Sequence, residues 1–301
     1  MGRFASTAEL YEEFRPPYPD EFFHAVAQKL NLSKQHRLLD IGTGPGLLAI
    51  GFAPYAGRVT AIDPEPAMLA AARRAMARAG QTVHLIEGRA EDLPANVAPF
   101  DVVTVGRALH WIDRTALGPL FARLVAPDGV LVICGCSSAR DGRNTWLETY
   151  NSARRAWSPE ALWSESGKGE RRPRDLIALL EGTGLTAEEV VRVETGHEVS
   201  ASYLARRVLT FSSSSPAALG RRVDAMLADV EAQLAPFGRN GLHRDRSLKG
   251  RYRAALRRDA RHRALTSCLG MISAQTARVC RERRPLYPFS GSCLEARRRL
   301  I

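Results

Sequence analysis

The chain has 301 residues, of which 45% are hydrophobic and 25% charged, enough to bury the core of one large domain or of one domain with a subdomain. No early apolar stretch resembles a signal peptide, no apolar run approaches the eighteen or so residues of a membrane span, and the five cysteines lack the paired spacing of a zinc site. The sequence therefore predicts a cytoplasmic protein with reduced thiols, no membrane association and no metal, while the net charge of +11 raises the question of a nucleic-acid partner.

The N-terminal segment predicts two short helices on either side of a proline-rich break. Phe22, Phe23, Val26 and Leu30 share one face of the second helix. The break contains the pattern Y-x-x-x-R-P-x-Y-P with one intervening residue, formed by Tyr11, Arg15, Pro16, Tyr18 and Pro19.

A strand, a tight turn and a helix follow. The apolar run in RLLDI leads into glycines at every second position, Gly42, Gly44 and Gly46, before helical spacing resumes. Glycine permits a positive φ and lets a ligand approach the main chain. A second apolar run ends in Asp63, an acid placed to accept hydrogen bonds from both hydroxyls of a ribose. Together these features predict a site for a ribose-containing ligand.

The glycine spacing indicates which class of ligand this is. A dinucleotide fingerprint would read G-x-G-x-x-G, but Leu47 stands where its third glycine belongs. With Asp40 before it, LLDIGTGPG resembles the first motif of class I methyltransferases that use S-adenosylmethionine as cofactor. The resemblance implies that the adenosyl group lies across this turn. The cofactor-binding residues it implies here are Asp40, Gly42, Thr43, Gly44, Gly46, Asp63, Pro64 and Met68.

Three further segments resemble bacterial small-molecule methyltransferases of this class. The proline-rich pattern resembles a segment that folds over the cofactor, GRAEDLP resembles the adenine loop, and ALHW followed by Ile112 and Asp113 resembles the segment after the fourth strand. A solvated connector and an acidic helix start are the alternative interpretations of the first two. The resemblance implies cofactor contacts from Ala90, Glu91 and Arg107, and substrate-binding or lid roles for Tyr11, Arg15, Tyr18 and Trp111.

His110 is the candidate catalytic residue. Its imidazole is suited to act as a general base for a hydroxyl or an acidic carbon. The alternative is a packing residue that contacts the cofactor.

The pattern of elements predicts an α/β fold: a doubly wound, mostly parallel Rossmann-like sheet with helices on both faces. We divide the chain into N-terminal cap helices at 1–36, a cofactor-binding core at 37–136, a substrate lid with the rest of the sheet domain at 137–238, and a basic tail at 239–301. The insertion after the fifth strand contains Trp146, Trp157 and Trp163. These tryptophans could cover an apolar substrate pocket, with Trp146 as a lid residue, or form the insertion's own core.

The basic tail carries all of the excess charge. It holds 17 Lys and Arg against 4 Asp and Glu, a net charge of +13, and the residues before it carry −2. Such a segment can bind nucleic acid, be disordered, or be an out-of-frame end that replaces a native strand. Because strand alternation is absent, we expect poor packing, no seventh strand and a helix at 252–265 at most. The abrupt change in composition makes a nucleic-acid partner the least favoured of the three interpretations.

The resemblance implies methyl transfer from S-adenosylmethionine to a small-molecule acceptor, at an O, N or C atom, by in-line displacement. The sequence lacks the N/D-P-P-Y/F motif of enzymes that methylate base amino groups or glutamine, and the Pro-Cys nucleophile of cytosine methylases. A non-catalytic or RNA-associated protein that uses its basic tail is the alternative. A homodimer is left open.

Overall fold

The computed structural model describes residues 7–158, 186–187, 191–238, 242–245, 247–248 and 251–257. The helices are α1 Ala8–Phe14, α2 Asp20–Leu30, α3 Leu47–Phe52, α4 Pro66–Ala79, α5 Arg114–Leu124, α6 Leu147–Ala156, α7 Ala201–Val208, α8 Pro216–Leu219 and α9 Val223–Leu234. The strands are β1 Arg37–Ile41, β2 Arg58–Asp63, β3 His84–Glu87, β4 Phe100–Gly106, β5 Val125–Cys134, β6 Ser137–Ser138, β7 Thr186–Ala187, β8 Val191–Arg192, β9 His197–Ser200, β10 Leu242–Asp245, β11 Ser247–Leu248 and β12 Arg251–Arg257. Across these ranges, no helix combines the length and apolarity that a bilayer span requires.

One mixed sheet forms the centre of the fold, in the strand order β3-β2-β1-β4-β5-β12-β7, with β8 also paired to β12. Strands β1 to β5 are parallel to one another. Strand β12 is antiparallel to β5, β7 and β8. The strand order reverses between β1 and β4, so the carboxyl ends of these two strands border a crevice. The predicted doubly wound, mostly parallel sheet is confirmed.

Helices cover both faces of the parallel part of the sheet. Successive residues of β1 point to opposite faces, so Leu38 packs in one buried cluster with Phe22 of α2, and Leu39 packs in another with Phe121 of α5. Burial on both faces explains why β1 and β4 are nearly continuous apolar runs. Each fully buried side chain of this size contributes roughly 2 kcal/mol to folding. The core therefore holds the carboxyl ends of β1, β2 and β4 in fixed positions.

A second core lies among α6, α7 and α9. Trp146, the residue before α6, is only 2% exposed and packs in one cluster with Leu204 and Val230. Its ring centroid lies 5.7 Å from that of Tyr150. Of the two roles that the sequence leaves open for Trp146, lid and core, the structure favours the core. Trp163 lies outside the described residues.

The described part of the basic tail contradicts the prediction that residues 239–301 supply no strand. Strand β12 pairs antiparallel with β5 and takes the place of the expected seventh strand. The pairing register shifts between Ala254 and Leu256, which interrupts the period of two that a strand shows in its sequence. The prediction of a helix at 252–265 is wrong over residues 252–257, because these residues belong to strand β12. Residues 258–301 lie outside the described part of the chain.

A truncation tests the structural role of this segment. A chain that ends at Gly238 lacks β10, β11 and β12, so one edge of β5 loses its antiparallel partner. We expect its Tm in a thermal scan to be about 5 °C or more below that of a chain that ends at Arg257, which keeps all three strands. Equal Tm values for the two chains would show that β12 does not stabilise the sheet.

Candidate functional site

The glycine turn after β1 is held against the end of β2 by backbone and carboxylate contacts. The amides of Gly42 and Thr43 donate to the carbonyl of Ile62 at 2.9 and 3.1 Å. The Asp63 carboxylate accepts from the amide of Gly44 at 2.8 Å and from that of Glu65 at 2.9 Å. Burial raises the pKa of Asp63, and these two amide hydrogen bonds oppose the rise. Each carboxylate oxygen keeps a lone pair that can accept from a ribose hydroxyl.

The turn has the positive φ values that its glycines predict. Gly42, Gly44 and Gly46 have φ values of 63°, 55° and 84°. A Cβ on Gly42 would lie 2.4 Å from the Cβ of Ala108, whereas a Cβ on Gly44 would meet no atom nearer than the Met68 sulfur at 3.9 Å. Gly42 is therefore required by packing, and Gly44 leaves open space beside the main chain.

Asp40 lies beneath the turn and is 1% exposed. Its carboxylate accepts from the hydroxyl of Thr43 at 2.6 Å and from that of Thr104 at 2.7 Å. Burial raises the pKa of Asp40 to about 6, although the two threonine hydrogen bonds lower it in part. The sequence predicts Asp40 and Thr43 at this site but gives no signal for Thr104, which resembles any other residue of a buried strand.

The end of β4 brings a third group of residues to the same place. A Cβ on Gly106 would lie 2.6 Å from a methyl carbon of Leu48, so this glycine permits close packing of β4 against α3. Arg107 follows with a φ of 59°, a left-handed conformation that is uncommon outside glycine. Its amide donates to the carbonyl of Cys134 at 3.2 Å, and its Nη2 donates to the carbonyl of Pro16 at 3.1 Å.

These segments enclose an open cavity of about 310 Å³, a volume that includes its mouth to solvent. The N-terminal segment closes one side, where Tyr11 and Tyr18 face the glycine turn across the cavity. The structure thus brings together seven of the predicted site residues, which are Tyr11, Tyr18, Asp40, Gly42, Thr43, Gly44 and Arg107. The remaining lining residues, which the sequence analysis did not single out for the site, are Pro45, Leu47, Leu48 and Gly106.

The other predicted residues lie behind or beside this cavity. Gly46 and Met68 are buried behind the turn, and Pro64 is exposed next to Asp63. His110 and Trp111 lie on a 3-10 turn after β4, with ring centroids 4.8 Å apart, and Trp111 is 38% exposed.

The predicted adenine loop is a short 3-10 turn at Ala90–Asp92. Ala90 is buried, and the carboxylate of Glu91 accepts from Arg89 at 2.9 Å. Arg123 of α5 holds the loop by donating to three carbonyls, those of Ala90 at 3.3 Å, Leu93 at 3.0 Å and Pro94 at 3.1 Å. An arginine on a helix surface gives no sequence signal for such a role.

Replacing Arg123 by methionine should loosen the loop without changing α5. Three carbonyls would lose their donor, and we expect the Kd for S-adenosylhomocysteine in a calorimetric titration to rise about 5- to 10-fold. The matched control is Arg37→Met, because Arg37 also donates to two loop carbonyls, Ala98 and Pro99, but before β4 at the opposite end of the sheet. Equal changes in Kd for the two variants would assign Arg123 a general structural role only.

Comparison with known proteins gives a family match for one segment of the chain. Residues 38–129 match a family described as methyltransferase domain. This segment of the chain is a methyltransferase domain. This domain spans the glycine turn, Asp63, the Ala90 loop and β4 up to the start of β5, so the resemblance noted in the sequence is confirmed.

Curated methyltransferases are similar over the same part of the chain. The uncharacterised methyltransferase Rv3342 of Mycobacterium tuberculosis is 35% identical over 144 residues, which is 48% of this chain and 55% of that protein. The malonyl-(acyl-carrier protein) O-methyltransferase of Enterobacter lignolyticus is 32% identical over 168 residues, 54% of this chain and 63% of that protein. The aligned part of the chain thus spans little more than half the length of these methyltransferases.

Solved structures show the same fold. The YcgJ protein of Bacillus subtilis superposes with a TM-score of 0.50 at 19% identity, covering 80% of this chain and 99% of that one. YjhP of Escherichia coli also gives a TM-score of 0.50 at 19% identity, covering 85% of this chain and all of that one. The methyltransferase fold therefore extends beyond the residues that the family comparison matches.

Proposed function

We propose that this chain transfers a methyl group from S-adenosylmethionine to a small-molecule acceptor. The observation that carries the proposal is the bond between the Asp63 carboxylate and the amide of Gly44, which fixes a ribose-accepting group beside an open stretch of main chain. The relatives named as O-methyltransferases, of malonyl-(acyl-carrier protein) and in ubiquinone biosynthesis, support an oxygen acceptor ahead of nitrogen or carbon.

The residues of the cavity, together with Asp63 at the end of β2, fit the cofactor. Asp63 would accept from the ribose hydroxyls, Gly44 would let the adenosyl group approach the main chain, and the Asp40 carboxylate would attract the positive charges at the methionine end. When bound, S-adenosylmethionine supplies a methyl carbon next to a sulfonium, which an acceptor atom can displace in line. Tyr11 and Tyr18 would exclude water from that end and align the acceptor, which is how this site would accelerate the transfer.

The direct test is methyl transfer by the full-length chain. Incubation with methyl-labelled S-adenosylmethionine and a panel of hydroxyl-, amine- and carboxylate-bearing small molecules should give saturable labelling of at least one acceptor. Gly42→Ala should abolish labelling, because its Cβ would collide with Ala108. Gly142→Ala is the matched control, since Gly142 also has a positive φ of 86° but no atom within 4 Å of the added Cβ. No labelling by the unmodified chain, or equal labelling by the two variants, would contradict the proposal.

His110 is proposed as the general base for an acceptor that must lose a proton. Its position on the turn after β4 places it near the end of the strand, although the imidazole does not line the described cavity. If His110 is the base, the variant His110→Ala should have a kcat about a hundredfold lower and a nearly unchanged Kd for S-adenosylhomocysteine. If His110 is instead a packing residue beside Trp111, the same substitution should alter Kd and Tm and leave the pH dependence of kcat unchanged. An unchanged kcat would exclude the base.

A further inference from the structure

Two arginines meet at Tyr11, on the wall of the cavity formed by the N-terminal segment. The Nη1 of Arg107 lies 3.5 Å from the Tyr11 hydroxyl, and the Cζ of Arg15 lies 5.1 Å from the Tyr11 ring centroid. The same Cζ lies 4.0 Å from the ring centroid of Phe211. Two positive charges thus lie in one largely aromatic environment.

Within the described ranges, neither guanidinium forms an ion pair with a carboxylate. Arg107 donates to Tyr11 and to the carbonyl of Pro16, and Arg15 donates to the carbonyl of Thr210 at 3.1 Å. The Nε atom of each is buried and has no hydrogen-bond partner among the residues that the structure describes. By contrast, the surface residue Arg143 bonds to two carboxylates, those of Asp141 and Glu194. A buried charge without a counter-ion is costly, so this wall is suited to receive an anion.

Electrostatics at Tyr11 agree with this interpretation. Burial alone would raise the pKa of the phenol, but the charges of Arg107 and Arg15 outweigh burial and lower the pKa overall. Burial and the neighbouring arginines lower the pKa of Arg15 to about 10, so it stays protonated at neutral pH. The potential at this wall is therefore positive.

The cofactor cannot balance this charge. S-adenosylmethionine has a sulfonium, an ammonium and one carboxylate, so its binding adds a net positive charge to the site. Even if its carboxylate met one guanidinium, the other would stay without a counter-ion. The second substrate can supply the remaining negative charge.

We propose that the acceptor is a small carboxylic acid whose carboxylate binds at Arg107 and the Tyr11 hydroxyl, with the charge of Arg15 behind them. The 3.5 Å contact between Nη1 and the Tyr11 hydroxyl is long for a hydrogen bond, so both groups can turn to a carboxylate at little cost. The Nη1 of Arg107 and the Tyr11 hydroxyl are thus two neighbouring donors that can bind one carboxylate together. This inference rests on the proposed methyl transfer.

The experiment compares acids with their amides on the full-length protein loaded with S-adenosylhomocysteine. The probes are benzoic, cinnamic and glutaric acid, each with its primary amide, and binding is measured by calorimetry at neutral pH. We expect at least one acid to bind tenfold or more tighter than its amide. Arg107→Gln should remove that preference, Arg107→Lys should retain part of it, and the surface control Arg143→Gln should leave it unchanged. Amides that bind as well as acids, or the absence of binding by any acid, would overturn the inference.

A second titration identifies which carboxylate the arginines bind. S-adenosylhomocysteine has an amino-acid carboxylate, and 5′-methylthioadenosine lacks it. The resemblance gives Arg107 a cofactor contact, whereas this inference assigns it to the acceptor. We therefore expect Arg107→Gln and Arg15→Gln to change the Kd of both nucleosides less than twofold. A tenfold loss confined to S-adenosylhomocysteine would assign the arginines to the cofactor and overturn the inference, while the proposed methyl transfer would stand. Failure of the unmodified protein to bind either nucleoside would instead contradict the proposed function itself.

Discussion

Replacing Asp63 by alanine should weaken the binding of S-adenosylhomocysteine by about 30- to 150-fold. The carboxylate fixes the glycine turn through the amides of Gly44 and Glu65, and its remaining lone pairs can accept from the ribose hydroxyls. Loss of hydrogen bonds to a charged acceptor costs roughly 2 to 3 kcal/mol, which corresponds to that range of Kd. Titration calorimetry at neutral pH provides the measurement.

Two control variants show whether the loss of affinity is specific to the carboxylate of Asp63. Asp63→Asn keeps the size of the side chain but directs an NH₂ group at one of the two amides, so it should also bind weakly. Asp141→Ala removes an exposed carboxylate that pairs with Arg143 and should leave Kd unchanged. An Asp63→Ala protein with unchanged Kd would exclude Asp63 as the ribose ligand.

Cofactor affinity should increase about tenfold between pH 5 and pH 7. Burial raises the pKa of Asp40 to about 6, so at pH 5 only about one molecule in ten holds the carboxylate that attracts the ammonium group at the methionine end of the ligand. Titrations with S-adenosylhomocysteine across this range should follow a single ionisation. Asp40→Asn should bind weakly at both pH values and show no such dependence. A pH dependence that survives in Asp40→Asn would belong to another group.

The same ionisation has the opposite effect on stability. Because the folded pKa of Asp40 is higher than that of an unfolded aspartate, Asp40 stabilises the fold below about pH 4, and this contribution is lost as the pH rises through about 6. The loss amounts to roughly 3 kcal/mol. Chemical denaturation of the cofactor-free protein should therefore show the natural chain losing stability relative to Asp40→Asn between pH 4 and pH 7. A constant difference would mean that the pKa of Asp40 is not raised.

The sequence predicts the parallel part of the fold well because β1, β2, β4 and β5 are mostly buried on both faces. Such strands are apolar runs bounded by turn residues, as in FDVVTV from Phe100 to Val105. Strand β12 could not be predicted in this way. It lies at the antiparallel side of the sheet, three of the seven residues in its sequence RYRAALR are arginine, and the register shift after Ala254 breaks its alternation. The pairing with β5 is a long-range contact that no local pattern records.

The residues of the candidate site also differ in whether the sequence predicts them. Gly42 and Gly44 were predictable because a positive φ restricts the residue type, and Asp63 because it ends a strand at the expected distance. Arg123 and Thr104 were not, since their roles depend on partners distant in sequence, the carbonyls of the Ala90 loop and the carboxylate of Asp40. Their positions follow only from the packing of α5 and β4.

The measurement that tests the central claim most directly is a competition between ligands for the cavity. Full-length protein should bind S-adenosylhomocysteine at one saturable site, and excess NAD should not displace it, because Leu47 occupies the place of the third glycine that a dinucleotide needs. Displacement by NAD, or the absence of a saturable site for S-adenosylhomocysteine, would contradict the assignment of this cavity to a methyl donor.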